Sequence, residues 1–298
     1  MRILGIIILM FIYCPCLAQQ YLNLSVDNDL YFGSDRYYSS GVFISSGAEK
    51  RDFNRDDYFK KYVHWTLGQE IFTPSNRYST DVESFDYPYG GWLFLERLEE
   101  NYYSSNRAMN LSFKFGVTGR ASLAPYLQNL YHKNVLGLRE VSWEQAVPER
   151  IHLNINIIFR RRWDLSPRLA FLYEYFGTLG TQRINLGGSI GFLLGNLPIL
   201  SFFESPIVNN KNGYAIYFGS SQEYRFHDFM ISGSLFDSET PFVFDPVFLK
   251  NKFEIGVMVY ISKYVIRSIV SSISQDTRLQ KTKRHNYLNI SISRKFNF

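Results

Sequence analysis

The feature that most constrains the fold of this chain is the alternation of apolar and polar residues in segments of β-strand length. The segment from His285 to Phe298, HNYLNISISRKFNF, shows it best: Leu288, Ile290 and Ile292 share one parity, and mainly hydroxyl and amide side chains occupy the other. Arg294 is the one interruption. Successive side chains of a strand point to opposite faces. The pattern therefore predicts a strand with one apolar and one polar face.

Segments of this kind recur along the chain at the length of a barrel strand, about 9–11 residues or a little more. An even number of antiparallel strands closes a barrel with both chain ends at the same rim. The connections alternate between tight and long, as inner turns and outer loops do. Residues 229–250 leave open whether the count is twelve or differs by two. The predicted strands are residues 20–29, 37–48, 62–74, 89–102, 107–119, 151–162, 167–178, 183–195, 213–225, 252–262, 264–276 and 286–298.

The composition favours an all-β, antiparallel transmembrane β-barrel. After residue 18 there is no apolar run of about 18 residues, so the sequence predicts no membrane-spanning helix. Aromatic residues make up 17% of the chain, with 22 Tyr and 26 Phe, yet the mean hydropathy is only −0.16. A membrane barrel has this profile because only every second residue faces lipid, and aromatic girdles mark both interfaces. A large soluble β-sandwich rich in tyrosine is the alternative.

The first 18 residues have the layout of a secretory signal peptide. A short basic start precedes an almost wholly apolar run from Ile3 to Leu17, and Ala18 provides a small residue for cleavage. We therefore expect one exported domain, a barrel over residues 19–298. Cys14 and Cys16, the two cysteines of the chain, fall inside this peptide. The exported protein is thus expected to have neither disulfides nor a cysteine nucleophile.

One segment departs from the β pattern. In residues 123–137, LAPYLQNLYHKNVLG, apolar residues recur at roughly helical spacing, Pro125 suits a first turn and Gly137 suits a stop. We predict a short helix inside an outer loop, and this helix carries His132.

Alternating strand direction brings several polar clusters to one rim. If the first strand starts at the inner side of the membrane, every odd strand ends, and every even strand begins, at the outer side. That rim then faces the outer leaflet and the cell surface. The clusters collected there are residues 27–29, 37–40, 73–77, 86–92 and His132.

Parity in the first two strands predicts which of these side chains face the barrel interior. Val26 has lipid-facing parity, so Asp29 is predicted to face inward and Asn28 outward, unless a bulge intervenes. In the second strand the same rule predicts that Tyr38 faces lipid and Ser39 faces the interior. Asp29 and Ser39 are therefore expected to share one cavity.

The side chains gathered at this rim include the groups needed to hydrolyse an ester. A histidine can deprotonate water or a hydroxyl for attack on the carbonyl carbon. Bound Ca²⁺, which prefers hard carboxylate and carbonyl oxygens, or amide and arginine donors can stabilise the oxyanion. Each cluster also has a simpler interpretation, because Asp, Asn, Gly and Ser form turns and a lone histidine is often structural. No GxSxG, HExxH or P-loop motif indicates another class.

The motifs follow the order of a known family. SVDNDLYF, DRYYSSG, FTPSN, DYPYGGWLF, and LQNLYHKNVLG with WEQA downstream resemble the outer-membrane lipid A 3′-O-deacylases. The resemblance implies a twelve-stranded barrel that removes an ester-linked acyl chain from lipid A with the help of Ca²⁺.

The resemblance also implies roles for individual residues. His132 would be the general base, and Ser39 would take the place of a hydroxyl residue at the catalytic cleft. Asn28 and Asp29 match an Asn-Asp pair that is tied to calcium and activity. Glu140 is the nearest carboxylate after the histidine and completes the predicted metal ligands, at a longer spacing than in the family.

Two further motifs depart from the family pattern. Asn76 and Arg77 follow the TPS turn, where family members carry basic residues that bind substrate, so Arg77 alone supplies the charge. The family's Asp-Arg-Pro-Tyr is Asp-Tyr-Pro-Tyr here, at residues 86–89.

We therefore predict a Ca²⁺-dependent hydrolase of the bacterial outer membrane that acts, as a monomer, on lipid A or lipopolysaccharide. An outer-membrane phospholipase-type esterase is the alternative enzyme. A non-enzymatic pore or binding barrel is the competing class, in which the polar clusters only form turns. The net charge of +5 is too small an excess to predict a nucleic-acid partner.

Overall fold

The structure, a computed structural model, describes residues 20–50, 60–237 and 243–296. Twelve antiparallel strands form a closed barrel in which sequence neighbours pair and β1 pairs with β12. The predicted fold class is confirmed, and each predicted segment corresponds to one strand. The predicted signal peptide lies outside the described residues. The strands are β1 (Gln20–Asn28), β2 (Tyr37–Glu49), β3 (Lys60–Thr73), β4 (Gly90–Ser104), β5 (Arg107–Thr118), β6 (Ile151–Ser166), β7 (Leu169–Gly180), β8 (Arg183–Gly195), β9 (Gly213–Asp228), β10 (Leu249–Ile261), β11 (Tyr264–Ser274) and β12 (Arg284–Phe296).

Strand direction divides the connections between two rims. The terminal rim carries the start of β1 and the end of β12, and the loop rim lies at the opposite end. Residues 74–89, 119–150 and 229–248 are long connections at the loop rim. Because outer loops of such barrels are longer than inner turns, the loop rim is the one that faces the cell exterior. The tight turns at the terminal rim are residues 105–106, 167–168 and 262–263.

The alternation seen in the sequence is present in the wall. Leu22 and Leu24 are exposed on the outer surface of β1. Asn23, which lies between them, points inward and accepts hydrogen bonds from the hydroxyls of Ser291 (3.2 Å) and Ser293 (2.8 Å) on β12. The wall therefore has an apolar outer surface and a hydrogen-bonded interior, as a barrel in lipid requires.

The connection between β8 and β9 at the terminal rim is longer than the tight turns there. Residues 196–212, between β8 and β9, fold back into the barrel, where the ring of Phe202 stacks on that of Tyr217 with 5.1 Å between centroids. Ile207 from the same segment shares a buried cluster with Tyr62. The terminal end of the barrel is therefore filled by side chains.

The predicted helix is confirmed. Helix α1 (Ala124–Tyr131) continues into one π-helical turn, His132–Leu136, and we call residues 124–136 the loop helix. Pro125 lies in its first turn, and Gly137 ends it in the left-handed conformation at φ 64°. The second α-helix, α2 (Phe229–Ser232), is a single turn after β9. Within the described ranges, no helix has the length and apolar character needed to cross a membrane.

Candidate active site

The loop helix packs against the outer face of the barrel wall. In β4, Trp92 and Phe94 are buried and share a parity that points into the barrel, so Gly91 and Leu95 point outward. A Cβ atom on Gly91 would lie only 2.3 Å from the Cβ of Ala124, at the start of the helix. The absence of a side chain at Gly91 thus permits the contact, and the helix covers the lipid-facing side of β4.

Gly91 belongs to a row of paired residues that crosses four strands on this outer face. Asn28 pairs with Ser40, Ser40 pairs with Ile71, and Ile71 pairs with Gly91. Directly paired residues project from the same face of a sheet. Ile71 is nevertheless buried, because the loop helix also contacts β3. The outward parity predicted for Asn28 fits this row.

A β-bulge in β2 decides where Ser39 lies. Tyr38 pairs with Phe72 and Ser40 pairs with Ile71, so Ser39 is the extra residue. A bulge places two residues opposite one and re-aims their side chains. The Ser39 hydroxyl accordingly donates to the backbone carbonyl of Ile71 (3.3 Å), and Ser39 is buried. The alternation on which the interior position of Ser39 was predicted therefore breaks at this residue.

The same bulge turns Tyr38 inward. Its hydroxyl donates to the carboxylate of Asp27 (2.6 Å), and its ring meets that of Tyr287 edge-on, 5.0 Å between centroids. The prediction that Tyr38 faces lipid was therefore wrong. Tyr38 lines a cavity of about 480 Å³ inside the barrel, on the other side of the wall from the loop helix.

His132 and a carboxylate that the sequence analysis did not select form the centre of the site. His132 is buried, and its Nε2 lies 3.1 Å from Oδ2 of Asp35. The Nε of Arg77 lies 3.0 Å from the same carboxylate oxygen. The backbone carbonyl of Asp35 accepts hydrogen bonds from Thr73 Oγ1 (3.4 Å) and from the Arg77 guanidinium (3.3 Å). Asp35 thus links the loop helix to the β3–β4 connection.

Two buried side chains of the loop helix have polar atoms without a protein partner. In the described part of the chain, Nδ1 of His132 makes no hydrogen bond, and neither does the amide nitrogen or oxygen of Gln128. Gln128 lies one helical turn before His132, so both side chains project from the same helix face. Buried polar groups are normally paired. The arrangement therefore suits a ligand that supplies the missing partners.

Asp29 is a second buried carboxylate at this rim. One of its oxygens, Oδ2, accepts hydrogen bonds from Ser34 Oγ (2.8 Å) and from the backbone N–H of Arg36 (3.0 Å), and the ring of His285 approaches it to 3.7 Å. The other oxygen, Oδ1, is buried and has no hydrogen-bond partner among the described residues. Burial raises the pKa of Asp29 to about 7.

The predicted metal ligands are brought together only in part. Asn28 adjoins Asp29, but its amide oxygen accepts a hydrogen bond from the backbone N–H of Leu30 (2.7 Å). Glu140 is exposed, and its side chain has no hydrogen bond or ion pair within the described ranges. No group of three His, Cys, Asp or Glu residues that could hold a metal occurs in residues 20–50, 60–237 and 243–296. The free oxygen of Asp29 is the group that fits a hard cation.

The predicted substrate-binding residues have separate positions. Asn76 donates from its amide to the hydroxyl of Ser84 (3.1 Å) in an exposed turn. Arg77 belongs to the site through Asp35, and its guanidinium also lies over the ring of Tyr78, 4.8 Å from the centroid.

Asp86 connects three loops of the rim. Its carboxylate accepts hydrogen bonds from the backbone N–H of Ser75 (2.8 Å), the hydroxyl of Tyr37 (2.7 Å) and the backbone N–H of Lys281 (3.3 Å). Tyr37 needs such an anchor because its φ is +60°, a strained value for a residue with a side chain. Asp86 therefore fixes the backbone between Asp35 and the bulge.

The residues that the sequence analysis did not assign were nevertheless inside the motifs that it used. Asp35 opens DRYYSSG, and Gln128 precedes His132 by four residues, the spacing of one helix face. Asp86 opens DYPY. Their side chains look like turn or helix-surface residues in sequence, and only the approach of three separate loops reveals their role.

Comparison with solved structures agrees with the architecture. The chain matches LpxR from Salmonella typhimurium with a TM-score of 0.75 and 17% identity, covering 92% of this chain and 99% of that one. The β domain of the Bordetella autotransporter BrkA is more distant, with a TM-score of 0.46, 9% identity, and coverage of 94% and 98%. No curated protein sequence matches the chain.

Fold and site together define an integral outer-membrane β-barrel that carries a helix-covered polar site on the outer face of its wall. The family model described as outer membrane protein LpxR matches residues 4–296. The chain therefore belongs to the LpxR family, and the resemblance to the outer-membrane lipid A deacylases and the outer-membrane location are confirmed.

Proposed function

We propose that this protein is a hydrolase that removes an ester-linked acyl chain, the 3′-acyloxyacyl group, from lipid A in the outer leaflet. The observation that carries the proposal is the position of the buried pair His132–Asp35. The pair lies between the loop helix and the outer face of the wall, at the rim that faces the cell exterior. An ester of an outer-leaflet lipid can reach a site on the outer wall without leaving the membrane. To reach a site in the barrel lumen, the same lipid would first have to leave the membrane.

His132 would act as the general base. Its Nε2 is held by Asp35, which leaves Nδ1 as the nitrogen that accepts a proton from the attacking group. The negative charge of Asp35 then compensates the imidazolium that forms. Attack on the ester carbonyl forms a C–O bond, and the bond to the sugar oxygen breaks as that oxygen takes the proton back from His132.

The attacking group would be water. The Ser39 hydroxyl donates its proton to the carbonyl of Ile71 rather than to an imidazole, so it is not poised as a nucleophile. Ser39 would instead help to position the substrate or the water. This assignment predicts hydrolysis without an acyl-enzyme intermediate.

Gln128 would stabilise the oxyanion. Its buried amide nitrogen has no partner in the described structure and lies on the same helix face as His132. A fixed hydrogen-bond donor that faces the developing negative charge lowers the activation barrier of the hydrolysis, because the donor does not have to reorganise during the reaction.

Ca²⁺ fits the remaining carboxylate. Asp29 would hold it through the oxygen that lacks a hydrogen bond, with Asn28 beside it. A hard divalent cation at this position would supply positive charge for the oxyanion and would compensate the buried carboxylate. Glu140 carries no part of this proposal, because it is exposed and without a polar contact in the described ranges.

A substrate comparison tests the proposed activity. Purified protein is incubated with lipid A or with phosphatidylethanolamine in mixed micelles, and the products are identified by mass spectrometry. We expect lipid A to lose its 3′-acyloxyacyl group and the phospholipid to remain intact. Hydrolysis of the phospholipid alone would identify a phospholipase-type esterase. No hydrolysis, together with ion conductance in a planar bilayer, would instead support a pore.

Removal of calcium is expected to lower the rate of lipid A hydrolysis by at least about tenfold, because a bound cation contributes several kcal/mol of charge stabilisation. Asp29→Asn should show the same low rate with and without Ca²⁺, since it removes the carboxylate. Full activity of the native protein in a chelator would contradict the assignment of a cation to Asp29.

Thermal stability provides a readout of Asp29 that does not depend on turnover. Folding raises the pKa of this carboxyl from 3.8 to about 7, so the folded protein binds the proton more tightly than the unfolded chain. The resulting contribution to the free energy of unfolding is fully present below pH 3.8 and is lost as the pH rises through about 7. The calcium-free protein should therefore unfold at a lower temperature at pH 8 than at pH 5, and Ca²⁺ should restore stability at pH 8. Asp29→Asn should abolish the effect of Ca²⁺ and reduce the difference in stability between pH 5 and pH 8.

A further inference from the structure

The loop helix is amphipathic in the opposite sense to a helix on a soluble protein. Its buried face carries the polar residues Gln128 and His132, and its outer face is apolar and open. The exposed fractions reach 65% for both Tyr126 and Val135. The apolar residues exposed on and beside the helix are Leu123, Tyr126, Leu127, Leu130, Tyr131, Val135 and Leu138.

This apolar surface continues into the lipid-facing surface of the barrel. The helix rests on the outer side of β4 at Gly91, and the strands next to it expose Leu95, Phe115 and Ile151 on the same side. A contiguous apolar patch of this kind marks an interaction surface. The outer surface of an outer-membrane barrel contacts lipid. Because the apolar surface of the helix is continuous with that of the strands, lipid is expected to contact the helix as well.

The charges around the helix suit the headgroup region. Residues 119–140 contain three exposed basic residues, Arg120, Lys133 and Arg139, and one exposed acidic residue, Glu140, so basic charge is in excess. Basic side chains that flank an apolar helix face bind anionic lipid groups while the apolar face enters the acyl region. The surface is therefore complementary to an anionic leaflet.

We propose that the loop helix lies in the outer leaflet, with its apolar face among the acyl chains of the surrounding lipids, and that substrate enters the His132 site sideways from the leaflet. The occupant of the apolar face is lipid, not a protein partner. The helix is then both a wall of the site and the boundary that a leaflet lipid crosses to reach it. The entry route rests on the proposed hydrolysis, whereas the position of the helix does not.

Spin-label accessibility tests the position of the helix without any turnover. Cys14 and Cys16 are changed to serine, a single cysteine is introduced by Tyr126→Cys, Val135→Cys or Thr80→Cys, and the labelled full chain is reconstituted in vesicles that contain anionic lipid. Thr80 is the matched control because it is an exposed residue in a polar connection of the same rim. We expect labels at 126 and 135 to collide with oxygen several times more often, relative to a water-soluble nickel chelate, than the label at 80. Equal ratios at all three positions would overturn the proposal, because the helix would then lie in water.

A charged substitution on the apolar face tests the entry route. Leu130→Asp should reduce hydrolysis of lipid A in vesicles by about tenfold or more, because a charge on this face opposes its burial in lipid, but not hydrolysis of detergent-dispersed lipid A. Equal loss in both preparations would place Leu130 in the folding or the chemistry and refute sideways entry. If the native protein hydrolyses neither preparation, the proposed function fails, while the spin-label ratios still decide where the helix lies.

Discussion

Replacement of His132 by glutamine is expected to reduce lipid A hydrolysis by about 10³-fold, within the range expected for loss of a general base. Glutamine preserves a polar side chain beside Asp35 but cannot accept a proton at neutral pH. The loss should appear in kcat, because His132 is assigned to proton transfer and not to lipid binding. Purified enzyme assayed by mass spectrometry gives the rate, and heat-modifiable migration in gels confirms that the barrel is assembled.

His64 provides a matched control for this experiment. It is a buried histidine that also contacts a carboxylate, with Nε2 3.2 Å from Glu100, but it lies in the barrel interior towards the terminal rim. His64→Gln should therefore retain activity within a few-fold of the native protein wherever it folds. Comparable rates for the two variants would show that His132 is not the base.

Much of the architecture follows from local sequence rules. Period-two alternation is a property of neighbouring residues, so all twelve strands are found, and the 3.6-residue spacing in residues 123–137 gives the loop helix in the same way. Strand direction then places His132 at the same rim as residues 27–40. These inferences need only chain connectivity and the alternation of direction around a barrel.

The face on which the site lies does not follow from those rules. Strict alternation along β2 predicts that Tyr38 faces lipid and Ser39 faces the interior, but the extra residue at the bulge breaks the alternation, and Tyr38 points inward. The bulge is accompanied by the strained backbone of Tyr37, which Asp86 anchors from another connection of the rim. No local pattern in β2 indicates that Tyr37, the first residue of the strand, will donate a hydrogen bond to Asp86, which lies 49 residues further along the chain.

The contents of the barrel interior were also missed for a physical reason. The position of residues 196–212 between two strands at the terminal rim predicts a short turn. The run NLPILSFF within them is, however, apolar enough to require burial. Its side chains complete clusters with Tyr217 and Tyr62 in the lumen. The terminal end of the lumen is therefore filled, while a cavity of about 480 Å³ remains inside the barrel.

Replacement of Asp35 by asparagine is expected to lower kcat by about 10²-fold or more, close to the effect of changing the base itself, because the imidazolium formed during attack would lose its compensating charge. Asparagine has nearly the same shape, so the backbone carbonyl contacts with Thr73 and Arg77 should survive. Asp27→Asn is the matched control: Asp27 is equally part of this rim and buried, but its carboxylate binds Tyr38 on the lumen side. We expect that variant to hydrolyse lipid A at close to the native rate. If Asp27→Asn abolished turnover and Asp35→Asn did not, the reacting ester would have to lie in the lumen, and the outer-wall site would be the wrong one.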